Sequence, residues 1–439
     1  MHYEDIRRSL MARLPDGLIL LSGGVPVARN HDVEYPFRQK SDFLYLTGAE
    51  EAGCYLLLEP GRRKSTLFIP KIDNHHRVWL GHVPGPAEAR HLFGVANVGY
   101  ASELGPALKR ARKSARRCYA DPEAWRRYKA DLRLPNAAPA LRDALDELRA
   151  VKTAAEIRLM RAANAASAKA HRAVMAAARP GLYEYEIQAV FEAECLKQGL
   201  GRLAYPSIVA AGANAAVLHY SRNNARMKSG DLLLIDAGAE NKGYAADITR
   251  TFPVSGRFTP RQRDVYSLVL ETQKRCITMT RAGVNSADLH VRSMWFIAEG
   301  LKSLGFLKGE TSGLVEGGAV RIFYPHGLTH MLGLDVHDVT GGKKRRVKNP
   351  NKVPVRFVAK LEPGFVVTME PGVYFIKALL QDPAVRRKYK GSVNFAKAES
   401  FLDFGGVRIE DDILVTRGAP VNLTDVPKEI KDVEEACRR

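Results

Sequence analysis

Two hydrophobic regimes follow one another along the 439-residue chain. Up to Val151 the apolar positions come in short runs: GLILLSG (17–23), DFLYLTG (42–48), CYLLLEP (54–60) and STLFIP (65–70). Each ends at Gly or Pro, and each reads as a buried strand. The stretch 101–148 is rich in Ala, Arg and Leu and mostly helical in pattern. This first region therefore predicts a mixed α/β domain over 1–150.

Beyond Val151 the apolar spacing lengthens to the helical period. Thr153 and Glu156 form a capping-box pair ahead of IRLMRAANAASAKAHRAVMAAA, and Pro180-Gly181 closes that helix. A second helix is predicted over 185–198, stopped by Gly199. A third opens on Thr259, Pro260 and Gln262 and runs to Gly283. Strand-like segments fall between and after these helices: LLLID, YAADITRTFP beyond an NKG turn, FVVTME and VRIEDDILV. The LLLID and YAADITRTFP segments read as a hairpin. Residues 151–439 therefore read as an α+β domain.

The strand-like segments and one His-rich loop (YPHGLTHMLGLDVHD) carry the chemistry. In chain order they supply Asp236, Asp247, His330, Glu370 and Glu410. Four carboxylates brought together repel one another and are costly to bury unpaired. Two divalent cations neutralise them, and such a pair suits hydrolysis. Oxygen-rich ligation with a single imidazole selects Mn²⁺ first, with Co²⁺ and Zn²⁺ as alternatives.

Composition changes this picture little. Sixty-seven Lys and Arg against 48 Asp and Glu give a net charge of +19. The excess gathers in runs such as KRARKSARR (109–117) and KKRRVK (343–348). No aromatic stacking pattern or nucleic-acid motif accompanies them, so they read as solvated surface. Five scattered cysteines without CxxC spacing argue against a zinc–thiolate site or a disulfide framework. No secretory leader and no apolar run of membrane-spanning length is visible, which gives a cytoplasmic expectation with no membrane partner.

The contexts of the five ligand-type residues resemble the "pita-bread" metallopeptidases, the family of methionine aminopeptidase, aminopeptidase P and prolidase. The resemblance spans roughly 155–425. It implies a pita-bread catalytic domain in which Asp247 and Glu410 bridge two metals, Asp236 holds one of them, and His330 and Glu370 complete the other. A metal-bridging hydroxide then attacks the scissile carbonyl. The resemblance also makes Glu370 the proton shuttle. It sets His219, His326 and His337 to bind substrate and stabilise the tetrahedral intermediate, and Arg408 to steady the carboxylates from behind. A homodimer is implied as well, one subunit's N-terminal domain closing its partner's site.

The segments RNHDVEYPFRQKSDFLYLTG (29–48) and KSTLFIPKIDNHHRVWLGH (64–82) resemble the N-terminal domain shared by aminopeptidase P and prolidase. Both cleave the bond before proline. Arg356 stands where prolidases bind a dipeptide's free carboxylate, and the long insertion after Glu370 is prolidase-like. Tyr205 and Ile208, in AYPSIVAAG, are candidates for the wall of the proline pocket. The expectation is therefore a prolidase acting on Xaa-Pro dipeptides, with aminopeptidase P, acting on longer Xaa-Pro peptides, as the alternative. A non-catalytic homologue that binds nucleic acid or protein is the remote third reading. The intact ligand set weighs against it.

Overall fold

The computed structural model describes residues 3–345, 347–349 and 355–438. Its contacts divide the chain into two units, Met1–Arg149 with Gly341–Lys344, and Ala150–Thr340 with Arg345–Arg439.

The first unit is built on a five-stranded sheet. Its strands are β1 (Gly17–Ser22), β2 (Tyr55–Glu59), β3 (Lys64–Ile69), β4 (Asn97–Tyr100) and β5 (Arg117–Ala120), in the order β4-β3-β2-β1-β5. The inner pairs are antiparallel, and the outer pairs β3–β4 and β1–β5 are parallel. Every residue of β1 is buried, which is why its sequence is continuously apolar rather than alternating. Helices α1 (Pro86–Phe93) and α2 (Leu104–Ala111) flank the sheet. Helix α2 packs Leu104, Leu108 and Ala111 against Leu57 and Phe68, a stripe at helical spacing.

One expectation is corrected here. DFLYLTG is not a strand, because Ser41–Thr47 forms a helix. Gly48 ends it in the left-handed region at φ 68°, its N–H donating to Leu44 O. Six of the helix's seven residues are buried, all but Asp42, and a short run buried on nearly every side carries no period to separate helix from strand. The 101–148 stretch is mostly helical, as its pattern predicts, and departs from it at one strand. Strand β5 lies inside it and pairs with β1 through Cys118, Tyr119 and Ala120.

The second unit begins with helices α3 (Ala154–Ala177) and α4 (Glu184–Lys197), and continues with α5 (Pro260–Met279) and α6 (Ser286–Ser303). The two capping boxes close as the sequence predicts, with Thr153 and Thr259 accepting from the backbone of Glu156 and Gln262. Helix α5 ends at Met279, short of Gly283.

Between the helix pairs come β6 (Ile208–Ala211), β7 (Leu232–Asp236), a small hairpin of β8 (Glu240–Asn241) and β9 (Tyr244–Ala245), and β10 (Thr249–Pro253). Strands β6 and β10 flank β7, both antiparallel to it. Lys242 and Gly243, at φ 48° and 84°, turn the hairpin with the backbone twist that two-residue connections favour. Strands β11 (Val366–Met369), β12 (Gly372–Tyr374), β13 (Gly406–Arg408), β14 (Asp411–Leu414) and β15 (Val421–Asn422) complete the unit. A shared core joins Ala163, Val174 and Phe191 of the helices to Leu233, Ile235 and Val407 of the strands.

Among the described residues, no helix is long and apolar enough to cross a membrane. All five cysteines are free.

Candidate metal centre

Each acidic site residue sits where a strand ladder ends or breaks. Strand β11 pairs with β14 and β12 with β13, so Met369 faces Asp411 and Gly372 faces Arg408. Between these registers lie Glu370-Pro371 on one strand and Ile409-Glu410 on the other. Pro371 has no N–H to continue the ladder. The break therefore falls opposite itself, with one glutamate on each side. Asp236 ends β7, opposite Thr249 and Ile208. Asp247 is not on the adjacent strand but in the extended segment just before β10, which refines the hairpin expectation.

One glycine makes that approach possible. A Cβ on Gly238 would stand 1.9 Å from Ala246 O. The contact lets Ala237 N–H donate to Ile248 O and Ala246 N–H to Ala239 O, at 3.1 Å each.

His330 comes from an irregular segment laid along β11. Its N–H donates to Thr368 Oγ1 at 3.2 Å, and its carbonyl accepts from Thr368 N–H at 3.0 Å. Ring atom Nδ1 meets Met331 O at 3.0 Å. Nε2 is thereby left for Asp247 Oδ2 at 3.4 Å and Glu370 Oε1 at 3.7 Å. Asp247, His330 and Glu410 offer donor atoms that all lie within 4.8 Å of one another. Past His330 the chain closes a loop through Asp338 N–H to Met331 O, and Asp338 pairs with the buried Lys152 ammonium at 3.0 Å. This loop sets the His337 ring edge-to-face on His330, centroids 4.4 Å apart.

Arg408 ties the carboxylates together from behind. It donates to Asp236 Oδ2 at 2.6 Å, Tyr374 Oη at 2.9 Å and Thr249 Oγ1 at 3.1 Å. Thr249 Oγ1 in turn donates to Glu410 Oε2 at 2.6 Å. Tyr205 Oη donates to Asp236 Oδ1 at 2.7 Å. Asp412, fully buried, accepts Asp247 N–H at 3.1 Å and Asn164 Nδ2–H at 2.8 Å. Arg250, also fully buried, holds the Glu410 carbonyl at 2.7 Å and Asp411 Oδ1 at 2.7 Å. Sequence reasoning missed Tyr374, Thr249, Asp412, Asn164 and Arg250. They act over separations of up to 248 residues, and only the extra acids of IEDD hinted at any of them.

All five ligand-type residues line one cavity of about 400 Å³. His219, His326, His337, Arg356, Tyr205 and Ile208 line it too, so the structure brings together every residue singled out from the sequence. Their surroundings differ. His219 and Arg356 are exposed on the wall. His326 has both ring nitrogens engaged inside the protein, Nδ1 with Gly327 O at 2.8 Å and Nε2 with Tyr374 Oη at 2.9 Å. Ile208 packs with Leu234 and Tyr220 while touching the cavity. Of the basic loop 343–348, Lys343 pairs with Asp143 and Arg345 with Glu362, while Arg346 lies outside the described residues.

The electrostatics record too many acids for the cations present. Burial raises Asp236, against the opposing charge of Arg408. Burial and the charges of Asp247, Glu370 and Asp236 push Glu410 well above the usual carboxylate range. Burial lifts Glu370 to about 7, against the charges of His330 and Arg408. Burial works to raise Asp247 as well, but the hydrogen bond and charge of His330 outweigh it and hold it low. Burial opposes a charged His330, yet Asp247 and Glu370 lift it to about 9. Burial drops His326 to about 3 and His337 to about 4, with Arg408 and His330 respectively adding to the effect. A buried set of four carboxylates and one imidazole, with a single guanidinium against it, fits hard or borderline divalent cations.

Comparison with known proteins agrees with this chemistry. Residues 158–417 match the family model of metallopeptidase family M24, and residues 3–119 match that of the aminopeptidase P N-terminal domain. A probable Xaa-Pro aminopeptidase from Botryotinia fuckeliana is 38% identical over 92% of this chain and 88% of its own length. One from Sordaria macrospora is 36% identical over 100% and 95%. Among solved structures, the Pseudomonas aeruginosa aminopeptidase PepP superposes with a TM-score of 0.88 at 36% identity, over 99% of this chain and 97% of that one. A zinc-substituted Escherichia coli aminopeptidase P in complex with product gives 0.85 at 32%, over the same shares. These relatives favour the aminopeptidase alternative over the prolidase reading.

Proposed function

The chain belongs to metallopeptidase family M24, and from that premise we propose that it is an Xaa-Pro aminopeptidase, releasing the first residue of peptides whose second residue is proline. The observation that carries this reading is the full-length match to relatives named for that activity, including the N-terminal domain. It is joined to a cavity holding all five ligand-type residues. The prolidase expectation rested on Arg356 and on the insertion after Glu370. The same two features occur here in a chain whose relatives are named as aminopeptidases.

In this reading Asp236, Asp247, His330, Glu370 and Glu410 hold two divalent cations, Mn²⁺ by preference. When bound, such ions polarise a carbonyl and lower the pKa of water toward neutrality. The protein's own groups do the rest. Glu370, whose Oε2 lies 3.5 Å from His326 Nδ1, moves a proton toward the proline nitrogen, which has no hydrogen of its own to leave with. His326 has both ring nitrogens engaged within the protein, so its task is to hold the Tyr374 hydroxyl, which Arg408 also reaches, beside the centre. His219 and His337 face the cavity and meet the peptide. Arg356, exposed on the wall, meets its carboxylate when the peptide is short. Tyr205 serves Asp236 through its hydroxyl, and with Ile208 gives the proline ring an apolar wall.

The deciding experiment is Mn²⁺-supplemented hydrolysis of an Xaa-Pro dipeptide beside a matched Xaa-Pro-Xaa tripeptide, with a chelator control. Chelator-sensitive cleavage that prefers the tripeptide is expected. Cleavage of the dipeptide alone returns the enzyme to prolidase.

A further inference from the structure

The basic character of the first unit has no place in the peptidase reading. Residues 59–117 carry twelve Lys and Arg against four Asp and Glu. Part of this excess surrounds a cleft of about 630 Å³ at the β4 edge of the sheet, larger than the metal-centre cavity. Register places Leu57 beside Thr66 and Glu59 beside Lys64, with Phe68 next to Gly99. Alternate residues of the strands thus form one floor. Helix α2 brings Arg110 to the rim, and α1 brings Arg90.

The two acids of the cleft are already committed. Glu59 is buried and paired with Arg62 at 3.1 Å. Glu103 folds over Gly99 and accepts Tyr100 N–H at 2.9 Å. The side chains of Lys64, Arg90 and Arg110 pair with no acid or other acceptor among the described residues. A neighbouring hollow of about 250 Å³ shares Glu59 and Arg62 and adds Arg116. Unmatched cations around one concavity repel each other until an anion enters. Guanidinium forks match phosphate oxygens in geometry. The volume suits one small ligand, and Phe68, the lone aromatic of the lining, is buried. There is no aromatic platform for stacking successive bases of a nucleic acid.

We propose that this cleft binds a small phosphorylated ligand of the nucleotide class. Lys64, Arg90 and Arg110 take its phosphates, and its uncharged part meets the partly exposed Thr66, Asn97 and Ser102 of the same lining. Every residue of its lining belongs to the first unit.

The test is fluorescence anisotropy of dye-labelled ADP on the full-length protein, with Mn²⁺ kept in excess of nucleotide. Inorganic pyrophosphate serves as competitor. Saturable binding is expected, displaced by pyrophosphate and weakened by salt. Arg90→Glu/Arg110→Glu should weaken it at least about tenfold while leaving peptide hydrolysis unchanged. Arg90→Gln/Arg110→Gln should give an intermediate loss, which separates charge from misfolding. Absence of saturable binding overturns the proposal, as does equal affinity in wild type and both variants. A single-stranded RNA that binds more tightly than ADP, and loses that binding in the same variants, makes the cleft a nucleic-acid surface and also overturns it.

Discussion

Glu410 is 2% exposed among three other carboxylates, and among the described residues its one side-chain hydrogen-bond donor is the Thr249 hydroxyl. That hydroxyl is oriented by Arg408, which also reaches Asp236 and Tyr374. Arg408 reaches these three acceptors from three different nitrogens, and a lysine's three N–H donors, all on one nitrogen, cannot span them. Arg408→Lys should therefore weaken Mn²⁺ binding roughly ten- to hundredfold, read by calorimetric titration of metal-free protein. An unchanged affinity removes Arg408 from the support of the centre. Glu370→Ala should abolish turnover and weaken metal binding, and substantial residual turnover would exclude it as the proton carrier. Arg356 separates substrate recognition from chemistry. Its replacement by Ala should raise KM for an Xaa-Pro-Xaa tripeptide more than for a longer peptide, with kcat little changed. Equal effects on both would mean that Arg356 does not meet the carboxylate.

At the scale of elements, the placement of the centre depends on backbone devices rather than on strand content. Gly238→Ala sets a methyl against Ala246 O, so the segments carrying Asp236 and Asp247 must part. The expected loss is about 1–3 kcal/mol, seen as a lower urea midpoint together with weaker metal binding. An unchanged midpoint would show that the close approach is relieved without cost. The helices were legible because their ends are local chemistry: Thr153 with Glu156, and Thr259 with Pro260 and Gln262. The five ligand-type residues were legible as a set because each stands in a distinctive short context, and the structure brings them to one cavity. Ser41–Thr47 was misread and β5 passed over for opposite reasons. The first is buried at every position but Asp42, and the second is four residues closing a basic run. Asp412, Asn164 and Arg250 were invisible because their partners are far away in sequence, and nothing local marks a buried acid as a support for another acid's N–H.

For the second unit as a whole, metal and acid act on stability in predictable directions. Four carboxylates are buried around one arginine, so cation binding and folding are linked. Chelation should lower the melting temperature of this unit by about 5–10 °C when the ion had been at a hundredfold its Kd. By calorimetry, a transition belonging to the first unit should stay in place. Acid should act through His171 as well. This ring is fully buried, donates from Nε2 to Ala237 O at 3.0 Å, and has no hydrogen-bond partner for Nδ1 among the described residues. Burial, with the charge of Arg250, drops its pKa from 6.5 to about 3. The unfolded chain therefore takes up a proton that the folded chain refuses. Its contribution is constant above pH 6.5 and is lost from there down to about pH 3, at about 1.4 kcal/mol per pH unit. His171→Gln should flatten the urea midpoint against pH across that window. An identical slope would assign the acid sensitivity to other groups.

The ladder break that seats Glu370 against Glu410 has a further consequence for how the molecule is made. The donors lie between positions 236 and 410 in separate strands and one loop, and β7, which carries Asp236, leaves the ribosome long before β14 exists. A chain grows from its N-terminus, so the cage stays open until the last glutamate emerges. In the proposed metal-binding reading, loading then comes late in synthesis, and a nascent chain stalled before Glu410 holds an incomplete set of the residues proposed to take the ions.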